Sequence, residues 1–208
     1  MDLVQRAALF RGITQAKLAD VITEMPRTDS FAGVEAAVSA FRWRPDVHIV
    51  EIASPQRLAP YSLALEADVG PEDDTPLASG RLVVLHNPAG EETWQGTTRF
   101  ISYTHADIEP EMATDPLMAD VAWLWLTDAL HRSGADYVAA GGTVTVMASR
   151  AYGELDATPP RAEVEMRCSW TSATTGQDAR HVAAWQELLC QVAGLEPLVD
   201  GITSLGRR

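Results

Sequence analysis

Cysteine is scarce in this chain: Cys168 and Cys190 are the two among 208 residues, and no CxxC pair occurs. That excludes a disulfide framework and fits a reducing, cytoplasmic setting. A membrane-spanning helix needs about 20 apolar residues in a row, and no such run exists. The first residues lack the charged start, apolar core and small-residue cleavage site of a secretory signal. Positive charge is in short supply, with 16 Lys and Arg against 29 Asp and Glu, a formal charge of -13 and a pI near 4.7. An acidic surface of this size repels phosphate backbones, so no direct nucleic-acid contact is expected. The densest basic spot is Arg42 to Arg44, with Arg57 nearby in sequence, and it reads as a solvated edge or ion-pair partner. Catalytic fingerprints are missing too. No GxSxG elbow occurs, and Gly141-Gly142 lacks the GxGxxG or GxxxxGK context of a phosphate loop.

What is present is a hydrophobic fraction of 46% in a chain long enough for one sizeable core. The pattern reads helix, strands, helix, two strands, helix. Phe31 to Phe41 has Val34, Ala37, Val38 and Phe41 at helical spacing, and Pro45 bars its continuation. His48–Ala53 is a β-branched strand. From Leu58 to Val69, Tyr61, Leu63, Leu65, Ala67 and Val69 alternate with polar residues, as in a half-buried antiparallel strand. Arg81–His86 and Thr97–His105 are further strands, with Asn87-Pro88-Ala89-Gly90 expected as a turn between them.

The second helix is expected from Pro116 to Ser133, with Asp115 as N-cap and Gly134 as its stop. Its centre, VAWLWL over 121–126, is apolar on nearly every side. Such a helix calls for cover from a sheet, another helix or a second subunit. Gly142–Tyr152 and Arg161–Thr171 follow as strands. In the latter, Ala162, Val164, Met166, Cys168 and Trp170 point inward and Glu163, Glu165, Arg167 and Ser169 outward. A last helix, about Asp178 to Ala193, carries Val182, Trp185, Leu189 and Val192 on one stripe. Strands clustered between helices with clean alternation argue an α+β domain: an antiparallel sheet packed by three helices. The expected division is an N-terminal extension over 1–30, loosely helical or disordered, one domain over 31–198 and a flexible tail over 199–208. Met25 is a second plausible start.

No catalytic residue, metal ligand set or cofactor is assigned. His105, Asp107, Glu109 and Glu111 alternate, and with His86 approaching they could form a divalent-metal site. The rival reading, a solvated linker leading into the helix, is preferred. Tyr61, Trp94, Gln95, Tyr103 and Trp170 are the candidate ligand-binding residues, an aromatic pocket closed by a turn. Trp123 and Trp125 are the candidate interface residues, because neighbours two apart on a helix cannot both face one sheet.

The strings PQRLAPYSLALEADV (Pro55 to Val69), GRLVVLHNPAGEETWQGTTRF (Gly80 to Phe100) and EPEMATDPLMADVAWLWLTDAL (Glu109 to Leu130), with GLEPL near the end, resemble an actinobacterial family catalogued as domain of unknown function 3000. The resemblance spans roughly Val34 to Leu198. It implies a cytoplasmic protein and brings no functional residues with it. The element order also resembles the type III secretion chaperone-like fold, whose members commonly dimerise, although the extra early strands depart from its simplest form. At the level of topology this transfers no function. The expectation is a cytoplasmic, non-enzymatic binding or adaptor domain, its partner a protein or a second copy, with no membrane contact. The alternative is a small-molecule-binding protein or enzyme.

Overall fold

The computed structural model describes residues 29–71, 75–155 and 159–196. The expected N-terminal extension, all but its last two residues, and the C-terminal tail lie outside them. Six strands form one antiparallel sheet: β1 (Val47–Ile52), β2 (Tyr61–Val69), β3 (Ala78–Glu91), β4 (Gly96–Ile108), β5 (Tyr137–Ser149) and β6 (Arg161–Ser172). Three α-helices accompany them among the described residues: α1 (Asp29–Ser39), α2 (Met118–Arg132) and α3 (Asp178–Val192). The expected fold class, an α+β domain with this element order, is what the structure has.

The order across the sheet is β1-β2-β3-β4-β6-β5. The chain leaves β4, crosses over through α2, lays down β5 at the far edge and returns with β6 into the gap. Strand alternation then decides the two faces. Leu63, Leu65, Leu82, Val84, Phe100, Val164, Met166 and Trp170 are buried beneath the helices. Helix α3 lies over the middle of the sheet with Val182, Trp185, Leu188 and Leu189 fully buried. Each such side chain contributes roughly 1.5–3 kcal/mol when removed from water. The close approach of α3 requires Gly80. A Cβ there would stand 2.6 Å from Leu189 Cδ2 and 3.1 Å from the Tyr103 carbonyl oxygen.

Several element boundaries differ from the sequence reading, and three of them have a local reason. Strand β3 runs on to Glu91 instead of stopping at His86. The expected Asn87–Gly90 turn is a bulge inside the strand, where the register shifts between His86 and Glu91. Asn87 Oδ1 accepts the Ala89 N–H and its Nδ2 donates to the Gly90 carbonyl, so the turn chemistry is used without a chain reversal. Strand β5 begins at Tyr137, before the expected Gly142, and also contains a bulge between Val138 and Gly141, with Ala139 at φ 50°. Helix α2 begins at Met118, and Leu117 occupies the N-cap. The expected N-cap, Asp115, lies two residues upstream, where its Oδ1 accepts the Leu117 N–H at 2.9 Å in a turn that leads into the helix, and the N-cap itself has no side-chain cap bond. Gly134 ends that helix as expected, at φ 62°, and the Ala135 N–H reaches back to the Leu130 carbonyl.

Candidate ligand-binding face

The face of the sheet turned away from the helices carries most of the polar side chains of β2 to β6, and the strand register arranges it in rows. One row runs Ala64, Val83, Ile101, Ser169 and Gly141, neighbours on adjacent strands. These are small or apolar residues, so the row is a floor. The next row runs Glu66, Arg81, Tyr103, Arg167 and Thr143. Its long side chains form one bank. On the other side lie Leu85, Arg99 and Thr171. The result is a depression of about 600 Å³ that includes Arg81, Val83, Ile101, Gly141, Arg167 and Ser169 in its walls.

Two separate groups of charge-assisted bonds hold the bank. Arg81 donates from Nε and Nη2 to Glu66 Oε1 at 2.9 and 2.8 Å. Arg167 Nε donates to Glu165 Oε1 at 2.7 Å, while the Tyr103 hydroxyl donates to Glu165 Oε2 at 3.0 Å. The Arg167 guanidinium also lies 5.2 Å from the Tyr103 ring centre. The Arg167 bond, ahead of that from Tyr103, holds the Glu165 carboxyl below its usual range. Burial and then the bond to Glu165 push the Tyr103 hydroxyl upward.

Arg99 is bonded differently. Its Nη1 donates to the Ala139 carbonyl at 2.8 Å and to Thr171 Oγ1 at 2.9 Å, and its Nη2 to Ser169 Oγ at 2.7 Å. All three partners are neutral. Arg99 thereby ties the β5 bulge to β4 and β6 and sets Gly141 beside Ser169.

The residues singled out in sequence do not meet in one place. Tyr103 is on the open face. Tyr61 lies on the helix face, stacked on Phe31 at 5.4 Å. Trp170 is fully buried on that same face, stacked on Phe100 at 5.8 Å. The sheet therefore separates Tyr103 from both. Trp94 is half-buried in the β3–β4 connection, and exposed Gln95 takes the left-handed conformation there at φ 59°. Trp123 packs over Gly142, where a Cβ would be 3.2 Å from its ring. Trp123 and Trp125 are both partly buried against the core. The exposed apolar residues of α2 and its N-cap are instead Leu117, Val121 and Leu124, at 60%, 41% and 53%.

Of the alternating acids, His105 and Asp107 stay on the open face, but β4 ends at Ile108 and releases Glu109 and Glu111. Glu163 of β6, opposite Asp107 in register, takes their place. The ligand atoms of His105, Asp107 and Glu163 lie within 4.8 Å of one another, a set that could hold a divalent cation. His86 is buried on the helix face, where Nδ1 meets Thr98 Oγ1 at 2.9 Å, so it cannot join them.

The fold defines a class: a helix-backed antiparallel sheet with one open, polar-banked face. Residues 27–203 match the family described as Protein of unknown function (DUF3000), and the chain belongs to that family. No curated protein and no solved structure matches the chain. No helix among the described residues is long and apolar enough to cross a membrane.

The floor and banks of the depression escaped the sequence reading. Alternation alone placed Arg167 and Ser169 outward. Only the register between strands distant in sequence sets Arg81 and Arg167 on either side of Tyr103.

Proposed function

We propose that this protein is a non-enzymatic, cytoplasmic binding or adaptor domain that acts through protein–protein contact, with a second copy as its first partner. The observation that carries this reading is the edge strand β5. Its 13 residues, Tyr137–Ser149, include no charged residue and no proline. Edge strands ordinarily carry such residues to block pairing with another chain. The opposite edge, β1, carries Glu51 in six residues. Antiparallel self-pairing of β5 would set Thr and Val against their equals, which suits cross-strand contacts. The exposed Leu117, Val121 and Leu124 add apolar surface on α2, the helix that packs on β5. A chemistry built on thiols is disfavoured, because both are buried and burial pushes Cys168 up to about 12.

Sedimentation velocity over a concentration series tests the reading. The wild type should sediment as a dimer. Thr145→Lys, at an exposed position of the edge, should sediment as a monomer with an unchanged circular dichroism spectrum. A wild type that stays monomeric up to its solubility limit would refute self-association through β5. A second reading, a small-molecule-binding protein, has one observation in its favour: Tyr103, one of the expected aromatic residues, lines the 600 Å³ depression.

A further inference from the structure

Three arginines of the open face border the depression, although the chain as a whole carries a formal charge of -13. The chain has a single lysine, Lys17, so every cation other than histidine among the described residues is an arginine. Arg81, Arg99 and Arg167 border the apolar row, against the two carboxylates Glu66 and Glu165. Glu66 is paired to Arg81 and Glu165 to Arg167. Arg99 bonds to neutral oxygens alone, so its charge has no carboxylate partner among the described residues. In the two rows that flank the floor, three arginines therefore stand against one carboxylate, Glu66, while Glu165 lies one row farther out. The acids farther along this face, Asp68, Asp107 and Glu163, lie in rows beyond the Arg81 bank.

Donors are also left over. Glu66 engages Nε and Nη2 of Arg81 and leaves Nη1 without a hydrogen bond among the described residues. Glu165 engages Nε of Arg167 and leaves both of its Nη groups so. The floor beside them is flat and partly apolar at Val83 and Ile101, and it is open at the far end. A Cβ built on Gly141 would meet nothing within 4 Å.

We propose that this groove is a binding site for a small organic anion with a flat apolar body, such as an aromatic carboxylate. The carboxylate would take the free guanidinium donors of Arg167 and Arg81, which suit a planar two-oxygen acceptor. The ring would lie along Val83 and Ile101 toward Gly141. This rests on the second reading above and names its ligand class. It is independent of pairing at the β5 edge.

Isothermal titration calorimetry on the full chain tests it, with 2-naphthoate as the probe and 2-naphthalenemethanol as its neutral counterpart. The acid should bind saturably at one site and the alcohol about tenfold more weakly or less, the loss of one charge-assisted contact. Arg167→Gln should weaken the acid by about tenfold or more while leaving the alcohol unchanged. Gly141→Val, whose Cβ would meet nothing within 4 Å, should abolish binding of both without lowering Tm. Equal binding of acid and alcohol would overturn the anion inference and leave a small-molecule site standing. Saturation by neither probe in the folded wild type would overturn both. Binding that survives Arg167→Gln and Gly141→Val unchanged would place the ligand elsewhere and overturn the inference. Should Gly141→Val fail to fold, the Arg167→Gln result and the acid–alcohol comparison still decide.

Discussion

The Trp170 indole N–H donates to His181 Nδ1 at 3.1 Å, inside the core where β6 meets α3. An indole nitrogen can only donate, so Nδ1 of His181 carries no proton. The imidazole is the Nε2–H tautomer, and Nε2 donates to Ser172 Oγ at 3.0 Å. Ser172 passes the chain on to the Thr174 carbonyl at 2.8 Å. Three side chains are thus satisfied in series, and the arrangement holds only while His181 is neutral.

Acid should therefore unfold this protein through His181. Burial lowers its pKa from 6.5 to about 4. Between those values the unfolded chain binds the proton and the folded one does not, so stability is full above pH 6.5 and falls as pH drops toward 4. The loss is about 3 kcal/mol, at roughly 1.4 kcal/mol per pH unit. His86, also lowered by burial, acts in the same sense. Asp178, raised by burial, acts in the opposite sense, contributing stability that is lost as pH rises. Thermal melts from pH 7.5 to 4 should show Tm falling, with a shallower slope for His181→Gln. An identical slope in that variant would remove His181 from the account.

Two fully buried tryptophans should respond differently to the same change. Trp170 has its N–H bonded, whereas Trp185 Nε1 has no hydrogen-bond partner among the described residues. Trp170→Phe opens a void and strands the Nδ1 acceptor of His181, for a loss of about 2–4 kcal/mol. Trp185→Phe opens a similar void but removes an orphaned donor, and its loss should be smaller by about 1–2 kcal/mol. Urea denaturation of the two variants gives the comparison.

The adjacent glycines of β5 should differ as well. A Cβ on Gly142 would collide with the Arg167 carbonyl oxygen and reach 3.0 Å from the Cys168 Cα, while one on Gly141 is clear. Backbone cannot yield as a side-chain tip can. Gly142→Ala should cost about 1–3 kcal/mol and Gly141→Ala less than about 0.5. Equal costs in chemical denaturation would mean that β5 is less firmly seated on β6.

Both thiols should be silent in the native state. Cys168 and Cys190 are buried, and burial raises both pKa values. A disulfide-exchange reagent at pH 8 should label neither within the native lifetime and both in denaturant, because the thiolate is the reactive form. Fast labelling of either one without unfolding would show that its segment opens locally.

Much of this was determined by the sequence alone. Alternation in Tyr61–Val69 and Arg161–Thr171 fixed which residues face the helices, because a strand's side chains have a period of two. Gly134 marked the end of the second helix, because the left-handed C-terminal cap is a local backbone matter, whereas the start moved from Asp115 to Leu117. The tertiary structure decided what depends on pairing. Asn87–Gly90 became a bulge because β4 continued beside it. Tyr103 and Trp170 ended on opposite faces because Tyr103 follows Phe100 by an odd number of residues, and Phe100 is paired with Trp170. The groove exists only because residues from five strands fall into register, with Arg99 holding the last of them in place. Periodicity along one strand reports its inside and outside; it carries no record of which strand lies next to it.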